Sequence, residues 1–214
     1  MVDVVFSTVS DPLSAFLLRQ DVTAYNDDGV LAGGLDSMMV GFMGNIMAPM
    51  AMLMNWFGYV VGTIFIIIGI MRLLKSSQEG PRGPGGIGTM ATFIVGGALI
   101  AFSPMIGSLS TSLFGTPTTF TFADLAFTTG MDPAEVDHVN AVITAVVKFM
   151  LVLGMVSIMR GFFIVRDVAE GNQQASMMAA VTHLIGGALA VNIGPLVNAA
   201  QTTLGLAGFG INFG

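Results

Sequence analysis

Apolar positions fall in four long blocks, separated by short polar, charged or Gly/Pro-rich stretches. No Asp, Glu, Lys or Arg occurs between Asp36 and Arg72, between Arg82 and Asp124, or after Glu170. Uncharged apolar runs of about 18 residues or more can cross a bilayer as helices. The pattern predicts spans over 52–71, 87–108, 140–162 and 175–197. In the first, Trp56 and Tyr59 sit where an interfacial aromatic belt would place them. Ahead of it lies a Met-rich stretch, 38–54, interrupted by Pro49, and a proline removes a rung of the helical ladder. A break or kink is therefore expected at Pro49, and its methionines suit an adaptable subunit interface or lipid-facing filler. Asp132-Pro133-Ala134-Glu135 signals a helix start, with a capping carboxylate, Pro in the first turn and a second carboxylate three residues on. Asp11-Pro12 opens a shorter amphipathic segment in the same way.

Two blocks repeat each other. Residues 93–115 (FIVGGALIAFSPMIGSLSTSLFG) and 183–205 (HLIGGALAVNIGPLVNAAQTTLG) share Gly-Gly-Ala-Leu, a proline, a small polar tail and a closing glycine. The glycine pairs Gly96-Gly97 and Gly186-Gly187, and the closing Gly115 and Gly205, keep one offset, while Pro104 and Pro195 are displaced from it by one residue. An earlier echo sets Ile70-Met71-Arg72 against Ile158-Met159-Arg160. The expected architecture is an all-α membrane protein whose four transmembrane helices form two tandem helical hairpins, with short outer amphipathic helices. The domains are 1–37, an acidic N-terminal region; 38–115, the first hairpin; 116–138, an acidic loop; 139–205, the second hairpin; and 206–214, a Gly-rich tail packed against a neighbour. Gly58, Gly62, Gly96, Gly97, Gly186 and Gly187 are the packing candidates, because helices approach closely over small residues. Pro104 and Pro195 are expected to kink or end their helices.

Composition strengthens the membrane assignment. Hydrophobic residues make up 54% and charged residues 9%, and the mean hydropathy is +0.83. A water-soluble domain needs more charged surface than this. The formal net charge of −6 disfavours direct nucleic-acid binding. The sequence has no cysteine and only two histidines, so neither a disulfide framework nor a conventional zinc site is available. Neither metal nor other cofactor is expected. Five of the seven basic residues (Arg72, Lys75, Arg82, Arg160, Arg166) flank the two predicted hairpin turns. By the bias of basic loops, the turns are expected in the cytoplasm and both termini outside.

Candidate chemistry is sparse. Lys148 lies within the third span, where a cation normally faces a partner or water. His183, on the antiparallel fourth span, is expected at a similar depth, and with Asn192 the two would line a polar lumen or subunit seam. Alternatively, Lys148 snorkels to the interface and His183 bonds a backbone carbonyl. The Gly/Pro-rich stretch near 80–88 lacks the strand and the Gly-Lys-Ser/Thr ending of a phosphate loop. No paired carboxylates within the spans, nucleophile elbow or Cys/His cluster points to an enzyme, and no catalytic residue is assigned.

The second copy, from Thr182-His183-Leu184-Ile185-Gly186-Gly187 through Asn192, Pro195 and Asn198 to Gln201-Thr202-Thr203-Leu204-Gly205, resembles small inner-membrane proteins of type IVB secretion systems. These are the IcmC/DotE and IcmD/DotP proteins of Dot/Icm machines and the TraQ-like proteins of conjugation systems, with IcmC/DotE nearest in length and span number. The resemblance covers roughly 90–115 and 140–205. It implies a multi-pass subunit of the bacterial inner membrane that contacts lipid, itself and other subunits, and helps build a protein-translocation channel. A pilin-like polymer subunit made of two fused hairpins and an autonomous small transporter or channel are the alternatives.

Overall fold

The computed structural model describes residues 35–79, 86–115, 123–126, 128–206 and 210–213. The amphipathic segment at Asp11 and the tip of the Gly/Pro-rich loop lie outside them. Among the described residues there are six helices and two short strands: α1 (Leu35–Glu79), α2 (Gly86–Ile100), α3 (Phe102–Phe114), β1 (Ala123–Leu125), α4 (Pro133–Ala169), α5 (Met177–Val191), α6 (Ile193–Thr203) and β2 (Ile211–Phe213). The protein is mainly helical. α1 and α4 are each long and apolar enough to cross a membrane, and α2–α3 and α5–α6 qualify as bent pairs.

α1 corrects the expected break at Pro49, since the helix runs through it without interruption. Proline deprives the Asn45 carbonyl of its helical donor, but Pro49 and Asn45 are both exposed. On the opposite face Met43, Met47 and Ala51 are buried, and their packing carries the helix past the missing rung. The predicted second and fourth spans are instead broken. α2 and α3 meet at 86°, and α5 and α6 at 77°. The breaks follow Ile100 and Val191, the residues four before Pro104 and Pro195, whose carbonyls a proline ring crowds and leaves without a donor. A glycine in the left-handed region closes both α3 and α6, Gly115 at φ 72° as the cap of α3 and Gly205 at φ 71° one residue past Leu204, the cap of α6. That conformation explains why both copies close on glycine.

α4 starts as its sequence requires. Asp132 accepts from the Ala134 amide at 3.0 Å, Glu135 accepts from the Asp132 amide at 3.4 Å, and Pro133 fills the first helical position. The helix extends beyond the predicted span at both ends. Arg160 and Arg166 therefore lie inside it rather than in the following turn, just as Arg72 and Lys75 lie inside α1.

Helix pairing repeats between the two halves. A Cβ added to Gly62 of α1 would lie 2.6 Å from the Gly96 carbonyl oxygen of α2, and one added to Gly154 of α4 would lie 2.8 Å from the Gly187 carbonyl oxygen of α5. Seven residues further along each long helix, Gly69 meets Phe93 and Gly161 meets Leu184. Gly58 sits as tightly against the Leu99 carbonyl. Gly97 and Gly186 have no neighbour within 4 Å of an added Cβ, which corrects their assignment as packing residues. The structurally equivalent glycines are thus Gly96 and Gly187, an offset of 91 that also relates the two prolines. The echo between Arg72 and Arg160 falls out of this register. Both halves share one core, with Met47, Leu99, Phe102 and Ile106 packed in the same cluster as Leu151, Met155, Ile158 and Val191.

The Gly-rich tail, expected against a neighbour, folds back on its own chain. β2 pairs antiparallel with β1, Ala123 opposite Phe213 and Leu125 opposite Ile211.

Candidate functional site

Two groups of polar side chains stand at opposite ends of the helices. At the first, the C-terminal ends of α1 and α4 meet the start of α2. One oxygen of Glu170 lies 2.9 Å from Nη1 of Arg72 and 2.8 Å from Nε of Arg166. Arg166 Nε makes no directed hydrogen bond there, so its contact is one of charge. The Arg166 guanidinium also covers the Phe65 ring at 4.3 Å, a favourable cation–π placement. Phe163 stands edge-on to Phe65, with centroids 5.9 Å apart. Fully buried Thr92 donates to the Gly88 carbonyl at 2.8 Å and is reached by Arg72 at 3.4 Å. Gly88 is where α2 passes α4, since an added Cβ would lie 3.1 Å from the Ala169 carbonyl oxygen. One carboxylate of the second half thus ties together arginines from both halves. Nothing local in the sequence signals that pairing.

The opposite end is built from amides. α6 carries Asn198 and Gln201 on one side, and each grips the backbone of β2 twice. Asn198 donates to the Phe213 carbonyl at 2.6 Å and accepts from the Phe213 amide at 3.0 Å. Gln201 does the same for Ile211, at 2.8 Å in each direction. On the other edge of the ribbon, Asn140 and Thr144 of α4 accept from the amides of Leu125 and Ala123, at 3.1 and 3.3 Å. Helical side chains therefore occupy the groups a third and fourth strand would pair, and both edges are closed. An Asn and a Gln three residues apart on one helix face were the available signal. At the same end, His138 of α4 and Asp36 of α1 pair at 2.6 Å, so α1 and α4 run parallel.

The predicted polar trio is not assembled. His183 meets Ser157 of α4, whose hydroxyl lies 3.3 Å from Nδ1 and donates to the His183 carbonyl at 3.0 Å. Ser157 is about 13 Å along α4 from Lys148, which separates the lysine from the histidine. Lys148 is only partly exposed and lies near the α5–α6 break, next to Val147, which packs in a cluster with Ile193 and Val197. Asn192 stands at that break, fully buried, with its Nδ2 donating to the Ala188 carbonyl at 2.9 Å. Its Oδ1 is buried without a partner among the described residues.

Arg160, expected at the second hairpin turn, is a further candidate that the helix carries inward. It is exposed, lies about 15 Å along α4 from Glu170, and has no ion pair or hydrogen bond among the described residues. Exposed Val156 and Leu153 continue its face of the helix.

Comparison of the chain with protein-family models, curated proteins and solved structures gave no match.

Proposed function

We propose that this chain is a structural, channel-building membrane subunit of a type IVB secretion or conjugation machine, crossing the bacterial inner membrane four times as two tandem helical hairpins. The levels of the polar groups support the span assignment. On α1, Trp56 lies about 24 Å from Arg72, and on α4, Lys148 lies about 33 Å from Glu170. A hydrocarbon core of about 30 Å, measured from the Arg72–Glu170 end, reaches just past Trp56 on α1 and just short of Lys148 on α4. The Arg72–Glu170–Arg166 end then faces the cytoplasm and both termini lie outside. After their bends, α3 and α6 run along the outer surface, and Lys148 reaches the outer headgroups.

Arg160 carries the subunit assignment. On this reading it stands near the middle of the apolar band, exposed, and no acid of the described chain reaches it. A guanidinium in that setting requires water or an anionic group, and an assembly supplies either one as an aqueous lumen or a neighbouring subunit. Purification of the intact assembly from native membranes tests this. The chain is expected to co-purify with other subunits in a closed complex, and Arg160→Leu is expected to stay in the membrane but drop out of the complex. Normal assembly of that variant, or solute flux through the purified chain alone in liposomes, would count against the reading. The repeated Gly-packed helix pair also fits two fused pilin-like hairpins, and helical filaments in electron micrographs would decide for that alternative.

A further inference from the structure

α1 is too long for the membrane that its partner helices span. Its 45 residues make a rod of about 67 Å, and the charge-free part from Asp36 to Arg72 alone measures about 54 Å, against a hydrocarbon core of about 30 Å. Measured from Arg72, that core ends near Met52, so the segment from Leu35 to Met52 projects about 25 Å beyond the lipid. That segment is not covered by its own chain on every side. Met38, Phe42 and Met52 are exposed by 57%, 54% and 60%, and Asn45, Pro49 and Trp56 are exposed with them. These six positions advance by alternating steps of four and three residues, the spacing of a coiled-coil seam. The buried Met43, Met47 and Ala51 lie on the other side of the helix, against the core. Above the bilayer such an apolar stripe has no lipid, and no described residue of its own chain, to cover it.

We propose that this stripe is the seam between copies of this chain, with the α1 helices of neighbouring subunits packed in parallel about an axis normal to the membrane. The inference rests on the membrane reading above, because insertion in one orientation is what makes the copies parallel. Two features select a second copy as the occupant. Pro49 has no N–H, so the Asn45 carbonyl lacks its helical donor, and the Asn45 side chain provides both a donor and an acceptor at the same spot. The same site on a parallel neighbour offers the complementary groups, so Asn45 amides and freed carbonyls satisfy one another across the axis. A single Asn within an otherwise apolar seam also fixes register and copy number. In addition, Met38, Phe42 and Met52 are long or flat side chains able to pack against their own copies.

The sequence has no cysteine, so single-cysteine variants report one position each. Met38→Cys, Asn45→Cys and Met52→Cys, oxidised or bridged in native membranes, are expected to give homodimer bands. Ile46→Cys, turned about 100° off the stripe, is expected to give little. Asn45→Asp, which sets like charges face to face, is expected to lower crosslinking at Met38→Cys about tenfold. Crosslinking that is absent or equal at stripe and off-stripe positions overturns the seam, as do adducts to a different protein, and an unchanged yield with Asn45→Asp overturns the polar pairing. Alkaline extraction of the same membranes distinguishes loss of the seam from loss of the membrane placement. A chain that resists extraction yet fails to crosslink overturns the seam alone, whereas a chain that is extracted overturns the membrane reading beneath it.

Discussion

At the residue scale, glycine acts here through the space that a missing side chain leaves. At Gly62 and Gly154 a neighbouring carbonyl occupies the place of a side chain, so even a methyl group must push two helices apart. Overpacking a close contact costs about 1–3 kcal/mol. Gly62→Leu and Gly154→Leu are therefore expected to lower the thermal midpoint clearly in detergent, followed by circular dichroism, while Gly97→Leu and Gly186→Leu leave it nearly unchanged. Equal effects at all four would refute the assignment of the packing pair to Gly96 and Gly187. The doublet itself is visible in the sequence. Which member packs is not, because it depends on how far each helix is rotated against its partner.

The next scale is the element, where short segments are held by side chains instead of by their own ladders. β1 and β2 have three residues each, too few to persist as an isolated hairpin. Asn198 and Gln201 supply four hydrogen bonds that make β2 part of the fold. Removing one side chain leaves its backbone partners without those bonds, at about 1–3 kcal/mol where they stay buried. Asn198→Ala and Gln201→Ala should release the C-terminal strand to protease well before α4 or α5 is cut, and the double variant should do so more completely. A tail still protected in the double variant would show that the clamp is dispensable. Gly210 belongs to the same device, since an added Cβ would collide with the Gln201 side chain, so Gly210→Ala should reproduce the release. The Glu170 contact is the other between-element device. Glu170→Gln leaves two partly buried arginines without their carboxylate, at a cost between the ~1 kcal/mol of an exposed pair and the ~3–5 kcal/mol of a fully buried one. It should loosen α1 and α2 from the end of α4, seen as faster amide exchange in the last turns of α1 and α4. Protection unchanged there would mean that aromatic packing through Phe65 and Phe163 suffices.

Depth is a property of the whole molecule, and it decides what a charge costs. Lys148, at the proposed outer level, can extend its ammonium into the headgroups, so Lys148→Met should leave membrane insertion nearly unchanged. Ile185 is exposed and sits opposite the middle of α4. Ile185→Lys should reduce insertion by about 2.5–3.5 kcal/mol, the cost of a lysine at the centre of a span, measured as the fraction of chain resisting alkaline extraction. Equal behaviour of the two variants would contradict the assigned levels.

By itself the sequence determined what depends on local chemistry and on the absence of charge. The uncharged stretches committed the chain to helices fit for a membrane, Asp132-Pro133-Ala134-Glu135 set the start of α4, and the repeated proline and closing glycine marked where α3 and α6 begin and end. Tertiary structure alone decided which distant groups meet. It carried α1 through Pro49, because packed Met47 and Ala51 outweigh one lost hydrogen bond. It also set His183 on Ser157 instead of near Lys148, joined Arg72 to Glu170, and turned the apolar tail into a strand. Each of these depends on the rotation and register of one helix against another, which side-chain fit across the interface sets and no single segment encodes.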